Sequence, residues 1–324
     1  MRRCESSGCG VARIKPARLR EGDLVRLVAP SGCTADPGRV EASAAALAAL
    51  GLVVRTSKYA ADRYGYLAGE DAVRAEELAA AFADTEAKAV ICLKGGYGTQ
   101  RLLARLNFGL IARNPKIFLG YSDITALHAA IGQACHLVTF HGPMASSDMV
   151  PKLDEATAGA LRRALFSAEP LGRIQNPDGS PLVALVGGMA TGELVGGNLS
   201  LVASGIGTAW ELDTRGKLLF LEDVDEAPYR LDRMLNQLKL AGKFDDCAGI
   251  ILGGWTRCVA AEGRPTLRLD EVFKDIIAPC GKPTLMGLEA GHCAPNLTLP
   301  LGIAYEICAE DGRLEALEPA CSEP

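Results

Sequence analysis

The stretch Lys116–Gln133 reads KIFLGYSDITALHAAIGQ. It begins with a short apolar run that ends at a glycine, continues with the polar cluster YSD, and then shows the apolar spacing of a helix. This order is typical of a buried strand that turns directly into an amphipathic helix. Ser122 and Asp123 therefore stand just beyond the C-terminal end of a buried strand. A hydroxyl at that point can be either a helix cap or a nucleophile.

The same strand–loop–helix unit recurs through the first half of the chain. The other apolar runs are LVRLVAP (24–30), LVV (52–54), AVICL (89–93) and LVTFHGP (137–143), and amphipathic segments lie between them. Short buried strands that alternate with amphipathic helices indicate βαβ units and a parallel sheet. Ligands of such sheets bind beyond the carboxyl ends of the strands. We therefore expect the APSG, KGGYG, GYSD and FHGP loops to converge on one edge.

The second half of the chain is more mixed. Residues 190–208 predict a strand, a glycine-rich turn and a helix, and residues 217–226 predict a strand that ends in acids. Residues 151–185 are irregular and contain PDGSP, which is typical of a turn in a linker. A chain of 324 residues is long enough for two domains. We predict a flexible tail at 1–17, an N-terminal α/β domain at 18–150, a linker at 151–185 and a C-terminal domain at 186–320.

Composition excludes several classes of function. The net charge is −5 without a basic block, which argues against nucleic acid as a partner. No apolar run reaches 18 residues, so no membrane span is expected, and the N-terminus lacks the apolar core of a secretory signal. The 11 cysteines are scattered and form no C-x-x-C pair, which argues against a metal site and a disulfide framework. Free thiols in this number favour a cytoplasmic location.

A serine nucleophile needs a base to accept its proton and a carboxylate to orient that base. His292 stands in the polar loop GHCAPNLTLPLG, where neither a helix nor a core requires an imidazole, and it is the best candidate for the base. Glu222 directly follows an apolar run. Spacing alone leaves it equally open as the orienting carboxylate or as part of a solvated acidic loop. His128 and His136 are interpreted as structural, and His141 as a supporting residue.

The loops also offer backbone groups for catalysis. KGGYG can bring its amides close to a substrate because glycine has no side chain. Together with the amide of Asp123 these groups can form an oxyanion hole. Neither G-x-G-x-x-G nor G-x-x-x-x-G-K-[ST] occurs, so we expect no nucleotide cofactor, and no other cofactor is indicated. Gly120–Ile124 lacks the second glycine of G-x-S-x-G, which disfavours the α/β-hydrolase fold but leaves a serine nucleophile possible.

Taken together, the motifs resemble the LD-carboxypeptidases, or murein tetrapeptide carboxypeptidases, which are serine peptidases of bacterial cell-wall recycling. Any one segment is weak, but the ordered set is specific and runs from about residue 24 to 302. The matching segments are LVAPSG, LKGGYGTQRLL, LGYSDITALH, FHGPM, LVGGNLSLV, FLEDVDEAPYRLDRMLNQL, GIILGGW and GHCAPNLTLPLG.

The resemblance implies roles for individual residues. Ser122 would be the nucleophile, and Glu222 would orient His292. The oxyanion hole would be formed by the amides of Asp123 and Gly96, and no metal would be used. The implied fold is an N-terminal parallel-sheet domain, Rossmann- or flavodoxin-like, followed by a C-terminal β-rich α/β domain, with the active site between them in a homodimer.

The implied reaction is hydrolysis of the bond that joins an L-centre of meso-diaminopimelate or lysine to a terminal D-alanine, through an acyl-enzyme. The partner would be a muropeptide, and its terminal carboxylate calls for a cation. Two arginines one helical turn apart could supply it, although salt bridges are the more ordinary explanation for them. The candidate substrate contacts are Gly95, Tyr97, His141, Arg230 and Arg233.

Two other functions stay open. Relatives that resemble microcin C immunity peptidases cleave aminoacyl- or peptidyl-nucleotides with the same triad. A non-catalytic module that binds peptides or sugars would need the glycines and aromatic residues of the cleft. It would have no use for Ser122, Glu222 and His292 together. Cys293, beside the expected base, is interpreted as a packing residue.

Overall fold

The computed structural model describes residues 12–324, which form two sheets with helices packed around them. The strands are β1 (Leu24–Val28), β2 (Val53–Thr56), β3 (Ala89–Cys92), β4 (Ile117–Gly120), β5 (Thr139–His141), β6 (Gly172–Ile174), β7 (Val183–Val186), β8 (Met189–Asn198), β9 (Leu218–Val224), β10 (Gly249–Thr256), β11 (Thr284–Met286), β12 (Leu299–Leu301), β13 (Ala304–Cys308) and β14 (Arg313–Ala316).

The helices connect these strands and cover both sheets. None of those between residues 12 and 324 has the length and apolar content needed to cross a membrane. The α-helices are α1 (Gly38–Ala48), α2 (Asp71–Ala83), α3 (Phe108–Arg113), α4 (Thr125–Cys135), α5 (Glu155–Phe166), α6 (Leu199–Ser204), α7 (Pro228–Leu240), α8 (Lys243–Asp246) and α9 (Leu269–Ile276), and 3₁₀ turns occupy Thr99–Arg105, Ser122–Ile124 and Ala278–Cys280.

The first sheet has the strand order β12-β5-β4-β3-β1-β2. Strands β1 to β5 are parallel in the flavodoxin-like order 2-1-3-4-5. Every residue of β3, β4 and β5 is buried, because helices cover both faces of a parallel sheet. The chain therefore has the predicted parallel-sheet domain, and the fold class is confirmed.

The second sheet has the order β6-β14-β13-β8-β9-β10-β11-β7 and is parallel only in its centre. One sequence expectation was wrong here. Gly196 and Gly197 do not form a turn; they lie inside β8. A methyl group on Gly196 would lie 2.0 Å from the carbonyl oxygen of Phe220 in β9. The glycines thus let β8 pack closely against β9.

The predicted domain boundaries need correction at three places. The expected linker contains α5 as well as β6 and part of β7. Strand β12, from the predicted C-terminal domain, pairs antiparallel with β5 and completes the first sheet. The tail prediction covers residues 1–17, of which 1–11 lie outside the described residues. Ile14 and Ala17 instead form β-bridges with Leu137 and Ser322, so the chain is anchored from Ile14 onward.

Candidate active site

Ser122 follows β4 and begins the 3₁₀ turn that leads into α4. Its backbone has a φ of 64°, in the left-handed region. A residue with a side chain is destabilised there by roughly 1–2 kcal/mol, and such strained positions cluster at active sites. The hydroxyl is not used as a helix cap. Its Oγ instead lies 3.0 Å from Nε2 of His292.

His292 and Glu222 complete a continuous hydrogen-bonded chain with Ser122. Nδ1 of His292 lies 2.7 Å from Oε2 of Glu222, and the His292 backbone N–H donates to the same oxygen at 3.0 Å. Glu222 is near the end of β9 and is fully buried. A methyl group on Gly291 would lie 2.5 Å from Oε2 of Glu222, so only glycine lets the histidine loop lie over the carboxylate.

This arrangement fixes the charge of Glu222 and the tautomer of His292. Burial by itself would raise the pKa of Glu222, but His141 and His292 lower it to about 2, so the group is a carboxylate at neutral pH. Burial lowers the pKa of His292, but the Glu222 carboxylate raises it more, and it lies above its usual value. The carboxylate favours a proton on Nδ1. Nε2 is then free to accept the hydroxyl proton of Ser122.

Asp123 joins three of the four expected loops. Its carboxylate accepts hydrogen bonds from Oγ of Ser31, in APSG, at 2.6 Å and from the backbone N–H of Thr99, after KGGYG, at 2.9 Å. Arg74 reinforces this junction, because its buried guanidinium donates to the carbonyl oxygens of Pro30 and Gly98. The three loops therefore meet at one sheet edge, as the strand pattern predicts.

The glycines of KGGYG lie directly against the serine. A methyl group on Gly95 would lie 2.8 Å from Cβ and 2.9 Å from Oγ of Ser122, and one on Gly96 would lie 3.2 Å from Cα of Gly32. The loop thus approaches the hydroxyl with backbone rather than with side chains. Oxyanion stabilisation by amides needs such an approach. The amides of Gly96 and Asp123 remain the predicted donors.

Both halves of the chain match the models of one known protein family. The family model of the LD-carboxypeptidase N-terminal domain matches residues 25–142, and that of the C-terminal domain matches residues 191–307. The chain belongs to the LD-carboxypeptidase family. A probable murein peptide carboxypeptidase of Bacillus subtilis is 46% identical over 288 residues, which cover 89% of each chain.

Solved structures of this family share the fold. The muramoyltetrapeptide carboxypeptidase from Oxalobacter formigenes superposes with a TM-score of 0.79 at 28% identity, covering 91% of this chain and 99% of its own. The microcin C7 self-immunity protein MccF, in the inactive mutant apo state, superposes with a TM-score of 0.87 at 25% identity, covering 95% and 99%. The two-domain architecture is therefore that of LD-carboxypeptidases and of MccF.

One residue that was predicted to contact substrate is not accessible in the candidate site. His141 is fully buried, and its Nε2 lies 3.8 Å from Oε1 of Glu222. The prediction that it contacts substrate is wrong, because the ring is enclosed among those of Tyr121, His128 and Phe220 and has no exposed surface. Of the other histidines, His128 is structural as expected, with Nε2 2.8 Å from the carbonyl oxygen of Gly120. His136 is the C-cap residue of α4.

The two arginines of α7 lie on one face, as their spacing predicts. Both guanidinium groups lie over the ring of Tyr229, at 5.9 Å for Arg230 and 5.5 Å for Arg233. Arg230 also contacts the carboxylate of Glu226 at 3.4 Å. Their predicted role in carboxylate binding stays a prediction.

Sequence reasoning missed several residues of this candidate site. Tyr121 precedes the serine, its ring centre lies 4.8 Å from that of His292, and its hydroxyl donates to Oδ1 of Asp148 at 2.9 Å. Tyr121 and Ser31 lie inside quoted motifs, so position alone could have suggested them. Asp148 and Arg74 lie in no motif, and only the folded chain brings them to the site.

Cys293 packs as expected beside the base. Its thiol donates to the carbonyl oxygen of Pro295 at 3.2 Å. Burial raises the pKa of this thiol to about 12, so at neutral pH it is protonated and a poor nucleophile.

Proposed function

We propose that this protein is a serine LD-carboxypeptidase that releases the terminal D-alanine from murein tetrapeptide, L-Ala-γ-D-Glu-meso-diaminopimelate-D-Ala, in peptidoglycan recycling. The observation that carries the proposal is the continuous chain from Oγ of Ser122 through His292 to the buried carboxylate of Glu222. The 46% identity to a probable murein peptide carboxypeptidase supports the substrate class.

In the proposed mechanism Nε2 of His292 accepts the proton of Ser122 as Oγ attacks the carbonyl carbon of the L-centre. The amides of Gly96 and Asp123 stabilise the oxyanion. The C–N bond then breaks, and His292 returns the proton to the amine of D-alanine, which leaves. Water attacks the resulting ester while His292 accepts its proton. Collapse of the second intermediate releases the tripeptide carboxylate and restores the serine hydroxyl.

The test is release of D-alanine from the synthetic tetrapeptide, together with labelling by a fluorophosphonate. We expect the wild type to release D-alanine in the presence of a chelator and to be labelled. Ser122→Ala should do neither, whereas Ser322→Ala, a matched change at an exposed serine near the C-terminus, should match the wild type. A folded wild type that neither releases D-alanine nor is labelled would contradict the proposal.

A second outcome concerns the substrate. The fold is shared with MccF, so labelling without D-alanine release would retain the serine mechanism and direct the search to aminoacyl-nucleotides.

We also expect a homodimer in the cytoplasm. The nine free cysteines among the described residues support a reducing compartment, and sedimentation of the full chain would test the dimer.

A further inference from the structure

A cleft of about 740 Å³ opens beside the glycine loop that approaches Ser122. It is bounded by the loops that follow β1, β2 and β3, so it lies at the carboxyl edge of the first sheet, where ligands of such sheets bind. The loop after β2, residues 57–70, is long, and loops of this length in compact domains are often functional. The side chains that line the cleft include Arg63, Tyr66, Lys94 and Tyr97.

Two cations in this cleft have no acidic partner. Nζ of Lys94 donates to the carbonyl oxygen of Cys33 at 3.1 Å, and Nε of Arg63 donates to that of Gly65 at 3.3 Å. Neither takes part in an ion pair anywhere in residues 12–324, whereas Arg26 is paired with Asp84. An ammonium group has three donors and a guanidinium five. Several donors in the cleft therefore remain for an anionic ligand.

Two tyrosines complete the wall of the cleft. Tyr66 and Tyr97 are 64% and 50% exposed, and their ring centres lie 5.6 Å apart in an edge-to-face arrangement. Exposed aromatic rings that line a concavity together with charged groups are typical of ligand sites. Here they offer apolar faces to the part of a ligand that lies beside its charged group.

The cleft is contiguous with the place of reaction. Lys94 precedes Gly95, which lies against Ser122, and Gly96 both lines the cleft and is the predicted oxyanion donor. Successive Cα atoms are about 3.8 Å apart, so Cα of Lys94 lies within roughly 8 Å of Cα of Gly96. In the tetrapeptide the terminal carboxylate is joined to the scissile carbonyl through one nitrogen and one carbon. A substrate bound at Gly96 can therefore bring a carboxylate to Lys94.

We propose that Lys94 and Arg63 bind a carboxylate of the peptide substrate, with Tyr66 and Tyr97 packing against the same peptide. This assignment rests on the proposed function and adds to it the group that the enzyme recognises. Arg230 of α7 is less available, because it already contacts Glu226. The tetrapeptide carries more than one carboxylate, and the arms of the test identify which one is bound.

The test combines charge-removing variants with peptides that each lack one carboxylate. The variants are Lys94→Met, Arg63→Met and, as a matched change at an arginine of α7, Arg233→Met. The peptides end in D-alaninamide, carry D-isoglutamine, or have lysine in place of diaminopimelate. D-alanine or D-alaninamide release gives kcat and KM. Calorimetry with the same changes in a Ser122→Ala background gives Kd without turnover.

We expect Lys94→Met to lower kcat/KM for the tetrapeptide by about 10- to 100-fold, chiefly through KM, because a hydrogen bond to a charged group is lost. Arg63→Met should have a smaller effect, since this side chain is more exposed, and Lys94→Arg should restore most of the loss. With one of the three modified peptides, wild type and Lys94→Met should have the same kcat/KM. The carboxylate that this peptide lacks is then the one that Lys94 binds.

Other results would overturn the assignment. Equal losses by Lys94→Met on every peptide, or no loss in kcat/KM and Kd, would show that the cleft does not bind a carboxylate. A carboxylate-dependent loss seen only in Arg233→Met would assign recognition to α7. In both cases a wild type that still releases D-alanine keeps the proposed function. If the wild type neither releases D-alanine nor binds the peptide, the proposed function fails and this assignment falls with it.

Discussion

Replacing Glu222 by glutamine tests the electrostatic basis of the site most directly. The change keeps the shape of the side chain but removes a fully buried negative charge that lies 2.7 Å from Nδ1 of His292. In the proposed mechanism His292 becomes an imidazolium, and the carboxylate stabilises that charge. Two unit charges about 4 Å apart interact by about 4 kcal/mol at an effective dielectric constant of about 20. At about 1.4 kcal/mol per tenfold, the expected loss in kcat is about 10³-fold.

The same change predicts a shift in the pH profile. The base must be neutral to accept the serine proton, so kcat/KM rises with pH through the pKa of His292. Glu222 raises that pKa, whereas burial lowers it. Once the Glu222 carboxylate is gone, only the charges of Asp223 and Asp148 still oppose the effect of burial. The rising limb should therefore move to lower pH while the plateau falls.

The assay is D-alanine release across pH, with Asp84→Asn as the matched control. Asp84 is another largely buried, ion-paired carboxylate. It precedes β3 and so lies at the opposite edge of the sheet from Ser122. The control should lose stability but keep kcat and the pH profile. A Glu222→Gln enzyme within threefold of wild type, or one whose rising limb moves to higher pH, would refute the reasoning.

Three further predictions concern the serine loop and its surroundings. Because Ser122 has a φ of 64°, Ser122→Gly should unfold with a free energy about 1 kcal/mol higher than Ser122→Ala, measured by urea denaturation; equal stabilities would show that the turn is not strained. Gly95→Ala would place a methyl group 2.8 Å from Cβ of Ser122, so kcat should fall about 100-fold while circular dichroism is unchanged; near-normal turnover would mean that the loop moves freely. His141→Phe should lower kcat about tenfold without changing KM, because His141 is fully buried beside Glu222; a raised KM would instead restore the substrate-contact interpretation.

Much of the candidate site could be predicted because its parts are local. Each catalytic candidate lies at the end of a buried strand or in a loop that has no packing role, and each of these patterns spans only a few residues of sequence. Ser122 follows β4, and Glu222 lies at the end of the apolar run in β9. A parallel sheet then brings strand ends to one edge whatever the details of packing.

The contacts that position these parts could not be predicted in the same way. Ser122 and His292 are separated by 170 residues, and Glu222 and His292 by 70. Arg74 reaches the carbonyl oxygens of Pro30 and Gly98, which are 44 and 24 residues away. Such pairs depend on how helices pack on the sheet, and no short pattern encodes that packing.

The sequence by itself determined the parallel α/β class of the first half and the loops that carry chemistry, because alternating apolar runs and amphipathic segments are patterns that act over short distances. Only the tertiary structure decided that β12 completes the first sheet, that His141 is buried beside Glu222, and that Lys94 is left without an acidic partner. Burial and charge pairing are properties of the surroundings of a side chain. Those surroundings are assembled from segments far apart in the chain, so they exist only once it has folded.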